Sequence, residues 1–299
     1  MFGFLNINKI GGVTSRAVVN QVSKLVRRKI KVGHAGTLDP LATGVLVLGV
    51  GPATRLTKYV QAAKKTYLAE FTLGVESESE DTEAEVTEVG GLESVTEEAI
   101  VAVLPEFTGS IEQLPPKFSA LKVNGKRAYD LARKGKSFEL QPRKIVIDSL
   151  SLKRFELPLM ELEITCGAGT YVRSLGRDIA RRLGTGAVMS NLCRTAIGCF
   201  KVEDALCSND IAWETIKSKL VPPQNGIGDV GLIDVPADSL ERFFVGEVWN
   251  PESPIDSQEV GAVDPSGKLL AILNRKSADR YTPKTNFTQY WKQLLEKEK

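Results

Sequence analysis

The run Gly33-His34-Ala35-Gly36-Thr37-Leu38-Asp39-Pro40-Leu41-Ala42-Thr43-Gly44 sets a lone carboxylate and the chain's one histidine among small residues. Residues 1–67 carry eleven Lys or Arg, and Asp39 is their only acid, a local balance of +10. Nearby positive charge favours the ionised form of a carboxylate. An ionised carboxylate in such a field can act as a nucleophile or a general base. The same residues also suit a structural role. Asp before Pro is the pattern of a helix N-cap with proline at the first helical position, and Asx-Pro pairs open turns. From this segment alone both readings stand.

Further blocks follow in order. Val32–Arg55 (VGHAGTLDPLATGVLVLGVGPATR) resembles the signature of the bacterial TruB family of tRNA pseudouridine synthases, with its G-[TA]-L-D-P motif. Lys65-Thr66-Tyr67 is similar to the family's K-x-Y segment, and Lys117–Tyr129 to its S-A-x-K-x-x-G-x-x-x-Y block. Gly169-Thr170-Tyr171-Val172-Arg173 is similar to its G-T-Y-[IV]-R block. The resemblance covers roughly residues 5–205. The resemblance implies isomerisation of the T-loop uridine at position 55 of tRNA to pseudouridine, on a flipped-out base, with no cofactor and no metal.

The resemblance also implies roles. Asp39 is the catalytic nucleophile, attacking the ribose or abstracting its proton. Arg173 pairs with Asp39 and keeps it ionised and oriented. Tyr67 stacks on the flipped base near C5, Tyr171 and Leu192 complete the pocket wall, and His34 fills space vacated by flipped nucleotides. The basic insertion, about residues 115–143, closes over the T loop with Phe118, Tyr129 and Phe138 interleaved. The family's D-K-P becomes Asn8-Lys9-Ile10, with Lys9 retained as a substrate contact. Its T-x-T-x-D becomes Ser77-Glu78-Ser79-Glu80-Asp81, with Asp81 retained among the substrate-binding residues.

Certain elements must position these groups. Thr14 or Ser15 caps a helix running to about Arg28, and Gly44–Gly49 reads as a short buried strand. Tyr67–Leu73, Ile145–Leu150 and Glu161–Cys166 alternate like half-buried strands. Ser94 with Glu97 makes a capping box before Ala99–Leu104. Tyr171–Leu183 carries Val172, Leu175, Ile179 and Leu183 on one stripe, closed by Gly184. Strands and helices do not alternate strictly, so the expected fold is α+β: a mixed or antiparallel central sheet with flanking helices. Residues 1–222 form the catalytic domain. Val221–Gly228 reads as a linker, and 223–299 as a small β-rich module with apolar runs at Phe243–Val245, Val260–Val263 and Leu269–Leu273, whose position resembles that of the PUA-type RNA-binding domain that follows the catalytic domain in the TruB family. Deleting 223–299 is expected to spare the chemistry.

The net charge of +2 conceals a polarity. Residues 1–202 sum to 28 basic minus 21 acidic, or +7, and residues 203–299 to 11 minus 16, or −5. Residues 76–98 hold ten acids and no Lys or Arg, which reads as a solvated face or loop. The basic residues cluster at 16–31, 117–144 and 173–194, the footprint of a phosphate-rich partner. No apolar run nears the roughly 18 residues of a membrane span and no secretion signal is evident. A cytoplasmic monomer without an obligatory protein partner is expected. Four cysteines without C-x-x-C spacing and one histidine argue for free buried thiols rather than zinc. Two rivals remain: an RNA-binding or RNA-guided relative of the same family, and a dinucleotide-binding enzyme. The latter would use Gly49-Val50-Gly51 with Glu70 about 20 residues on, but the third glycine is missing and Pro52 interrupts the loop.

Overall fold

A strand can be apolar on every residue only when both its faces are covered, and Thr43–Val50 meets that condition. Leu46, Leu48 and Val50 pack into one core and Val45 and Val47 into another. The neighbouring strand Gly3–Lys9 divides in the same way, Leu5 and Ile7 to one side and Phe4 to the other. The computed structural model describes residues 1–27, 29–119, 121–123, 125–240, 257–277 and 280–292.

Among these residues a large mixed sheet runs in the order Leu206–Cys207, Gly3–Lys9, Thr43–Val50, Ala187–Ile197, Lys65–Leu73, Leu159–Cys166, Arg143–Glu156, Gly109–Gln113. Most neighbours are antiparallel. Ala187–Ile197 meets Thr43–Val50 in parallel, with Arg194 opposite Gly44, and meets Lys65–Leu73 antiparallel, with Arg194 opposite Tyr67. The expected α+β class with a mixed central sheet is what the chain adopts. Lys65–Leu73 alternates strictly, with Tyr67, Ala69, Phe71 and Leu73 buried. Gly49–Thr54 is no nucleotide loop: it turns into the short 3-10 helix Gly51–Arg55, with Ala53 in the core.

The helix Val172–Arg182 lies on the sheet through Val172, Leu175 and Ile179. Gly176 permits the close approach, since a Cβ there would lie 2.0 Å from the Phe71 ring. The first helix, Ser15–Leu25, is capped by Thr14, whose Oγ1 accepts from the Ala17 amide at 3.1 Å. It stops short of Arg28 because Val26 turns extended and enters the core. Thr96, not Ser94, caps the next helix, Glu97–Val103, by accepting from the Ala99 amide. Val95 is anchored in the core, which places the first free hydroxyl one residue later.

A second sheet, Gly231–Asp234, Glu259–Val263, Leu269–Ser277 and Arg280–Asn286 in spatial order, forms the C-terminal module. The expected strand at Phe243–Val245 lies outside the described residues. Val221–Gly228 is not a loose linker. Pro223–Ile227 coils into a 3-10 turn with Pro223, Gly226 and Ile227 buried, and Phe2, Phe4, Val263, Leu269 and Phe287 share one core across it. Apolar residues on both sides of the seam override its turn-like composition. All four cysteines are free, but only Cys166 is buried.

Candidate active site

Three backbone anchors shape the loop that carries Asp39. Buried Ser15 both accepts from the Leu38 amide, at 2.9 Å, and donates to the Leu38 carbonyl, at 3.0 Å. The Gly12 amide donates to the Pro40 carbonyl at 2.9 Å. Lys9, fully buried, donates its ammonium to the carbonyls of Ile10, Val13 and Pro40 at 2.8–3.1 Å. The expectation that Lys9 touches substrate is therefore corrected. Its charge is occupied inside the protein, where three carbonyls replace the water lost on burial. Burial also pushes its pKa down to about 8, against the attraction of Asp39.

Asp39 remains 37% exposed at its side chain, and its Oδ2 lies 3.2 Å from Nε of Arg173. The expected pair is present. Arg173 sits in the first turn of its helix, where positive charge is disfavoured, yet the guanidinium is buried and held by several acceptors. Nη1 donates to the Ser79 carbonyl at 2.6 Å and to Asp81 Oδ2 at 3.2 Å, and Nη2 to the Phe118 carbonyl at 3.1 Å. Asp81, with a side chain only 3% exposed, is out of reach of a substrate. This corrects its grouping with the substrate-binding residues: it holds Arg173.

Asp39, Tyr67, Tyr171, Leu192 and Arg173 line one cleft of about 400 Å³, within the roughly 300–1,000 Å³ common for small-ligand sites. Tyr67 forms a buried wall. Burial pushes its phenol above the ordinary range although the Arg194 guanidinium opposes the shift, so at neutral pH it is an uncharged aromatic surface. His34 stands outside this lining, half-buried on the strand Val32–His34. Burial, then the charges of Arg16 and Arg194, push its pKa down.

Two site-building residues escaped the sequence reading. Arg194 is 2% exposed, reaches the Tyr67 hydroxyl, and donates Nε to the Val45 carbonyl at 2.7 Å and Nη2 to that of Gly36 at 3.3 Å. Its signal was available: with Leu192 it occupies the inward positions of a period-two strand. Gln113 brackets Tyr171, accepting from its amide at 2.9 Å and donating to its carbonyl at 3.0 Å. Nothing local in the sequence marks it. The basic block 173–194 is also not a free phosphate-gripping surface. Arg173 and Arg177 are buried in ion pairs with Asp81 and Glu80, and Arg181 and Arg182 pair with Glu76 and Glu106.

The fold has counterparts among solved structures. A solved structure described as "Structure of H/ACA RNP bound to a substrate RNA containing 2'-deoxyuridine" superposes with TM-score 0.71 at 22% identity, covering 96% of this chain and 85% of that one. One described as a Cbf5-Nop10-Gar1 complex also reaches 0.71, at 23% identity over 95% and 84%. The chain shares the fold of these structures. At the sequence level, the family model described as "TruB family pseudouridylate synthase (N terminal domain)" matches residues 23–172. A tRNA pseudouridine synthase B of Rhodopirellula baltica is 40% identical, over 88% of this chain and 81% of its own length. One of Dehalococcoides mccartyi is 37% identical over 95% of both. The chain belongs to the TruB family of pseudouridylate synthases.

Proposed function

We propose that this chain is a tRNA pseudouridine synthase that isomerises the T-loop uridine at position 55, acting as a cytoplasmic monomer on flipped-out substrate without a guide RNA. The observation that carries this reading is the Asp39–Arg173 pair at 3.2 Å inside a cleft walled by Tyr67. The reaction breaks the N1–C1′ bond, turns the uracil and joins C5 to C1′. The C5 proton is lost and N1 gains one, so no redox partner is consumed. Asp39, partly exposed and facing a guanidinium, attacks the ribose or takes its proton. Tyr67 and Leu192 offer the face on which the freed base can turn. His34, uncharged at neutral pH, supports the nucleotides left behind, and Lys122, Lys126, Lys134 and Lys136 on the insertion supply phosphate contacts. The second sheet serves as the PUA-like RNA-binding domain.

Asp39→Asn separates catalyst from cap, because Asn opens turns and caps helices about as well as Asp but is neither nucleophile nor base. The purified variant alone with tRNA transcript should bind normally and form no pseudouridine under single-turnover conditions. Near-parental rates, with deamidation excluded by mass, would end this reading. A parent chain active only with added guide RNA would favour the RNA-guided alternative.

A further inference from the structure

The acidic run that reads as a solvated face contains two buried residues, Ser79 and Asp81, on either side of the partly buried Glu80. The flanking two converge on one guanidinium, through the Ser79 carbonyl and the Asp81 carboxylate on Arg173 Nη1. Glu80 lies between them at φ +62°, among the described residues the one non-glycine position with positive φ. An L-residue rarely holds that conformation unless its surroundings impose it.

Here the surroundings are specific. One Glu80 carboxylate oxygen accepts from Ser174 Oγ at 2.5 Å, and the other pairs with Arg177. Its carbonyl accepts from the Met189 amide at 3.0 Å. Ser174 and Arg177 stand on the helix that carries Arg173, Arg177 one turn further on. Arg177 also donates to the carbonyl of Leu114 at 3.1 Å, and Arg173 to that of Phe118, both at the root of the basic insertion. Loss of the Glu80 carboxylate would remove two of these anchors, leaving the turn to relax and its two flanking acceptors to part.

We propose that Glu80 is a positioning residue: its side chain, locked by Ser174 and Arg177, holds the left-handed turn that aims Ser79 and Asp81 at Arg173 and so orients Arg173 on Asp39. This rests on the proposed reaction for its kinetic readout, and a second readout is independent of turnover.

The test compares Glu80→Ala and Glu80→Gln with the parent. Glu80→Ala should slow single-turnover pseudouridine formation at least ten-fold while the Kd for a T-arm stem-loop stays within two-fold. Glu80→Gln, which keeps the shape and can hold both partners, its Oε1 accepting from Arg177 and its Nε2 donating to Ser174 Oγ, should stay within three-fold of the parent rate. In ¹⁵N NMR, the Arg173 Nε–H signal should exchange with water at least ten-fold faster in Glu80→Ala. An unchanged rate in folded Glu80→Ala overturns the proposal, as does a loss confined to Kd. Should the parent form no pseudouridine, the proposed reaction fails and the exchange measurement alone decides this inference, with unchanged exchange overturning it. Should Glu80→Ala fail to fold, Ser174→Ala replaces it, with a rate at least three-fold lower at unchanged Kd expected and an unchanged rate decisive against.

Discussion

Arg173 is worth more to this protein than its single charge suggests, because one guanidinium serves an exposed aspartate, a buried aspartate and two carbonyls. Removing one partner of a buried ion pair costs about 3–5 kcal/mol, since the other charge stays unpaired in a poor solvent. Arg173→Met should therefore lower stability by about 3 kcal/mol in urea titration, beyond any loss of turnover. Adding Asp81→Asn should recover part of that loss, whereas a double variant no more stable than the single would deny the coupling. His34 offers a cleaner reading, because it is the chain's one histidine. Its pKa lies below the ordinary 6.5, so the unfolded chain binds the proton more tightly. The contribution of His34 to stability is then complete above pH 6.5 and shrinks as pH falls from there towards the folded value. The imidazole resonance in a proton NMR titration should have its midpoint below 6.5.

At the scale of elements, the catalytic loop is held from below by the end of the first strand and the start of the first helix. Lys9 and Ser15 do this with three hydrogen bonds to the loop backbone, at Leu38 and Pro40, and Lys9 makes two more to Ile10 and Val13. Hydrogen bonds to a charged group contribute about 1.5–3 kcal/mol each when broken singly, offset here by relief of a buried ammonium. Lys9→Met keeps the stem, and should lower stability by about 2 kcal/mol while leaving RNA affinity unchanged. A loss of affinity without a fall in Tm would restore Lys9 to the substrate. Gly44 constrains the same region from the other side. It adopts φ +92°, and a Cβ there would sit 2.3 Å from the Arg194 carbonyl, so the strand that follows Asp39 passes hard against the strand bearing Arg194.

Across the whole molecule, the two sheets are joined by a common core rather than tethered. The Phe2 and Phe287 rings lie 4.7 Å apart, Arg55 stacks over Phe287 at 4.6 Å, and Tyr59 donates to Glu259 at 2.6 Å. Deleting residues 223–299 would uncover Phe2, Phe4, Val45 and Val47 together, which replaces the expectation that such a truncation keeps working. Calorimetry should give one cooperative transition for both sheets. Phe287→Ala should lower stability by about 3 kcal/mol, the lower range for a buried phenylalanine, and lower Tm without splitting that transition. Two separated transitions would show that the modules fold independently.

Local chemistry was legible where side-chain type and chain direction coincide. The alternation of Lys65–Leu73 and the stripe on Val172–Arg182 report short-range rules, and the mixed sheet follows from their irregular order, whereas the roles of Asp39 and Arg173 were implied by the resemblance of their motifs to those of the TruB family. What only tertiary structure decided is where each charge ends. Lys9 and Asp81 look like surface groups in sequence, and the acids of 76–98 like a solvated face. Yet Lys9 and Asp81 are buried and Glu80 partly so, and each meets a partner far away in the chain: Pro40, Arg173 and Arg177 respectively. Arg194 and Gln113 gain their roles in the same way, from strands brought together by pairing. A buried charge is tolerated only beside its counter-charge or carbonyls, and those partners are chosen by the packing of the sheet.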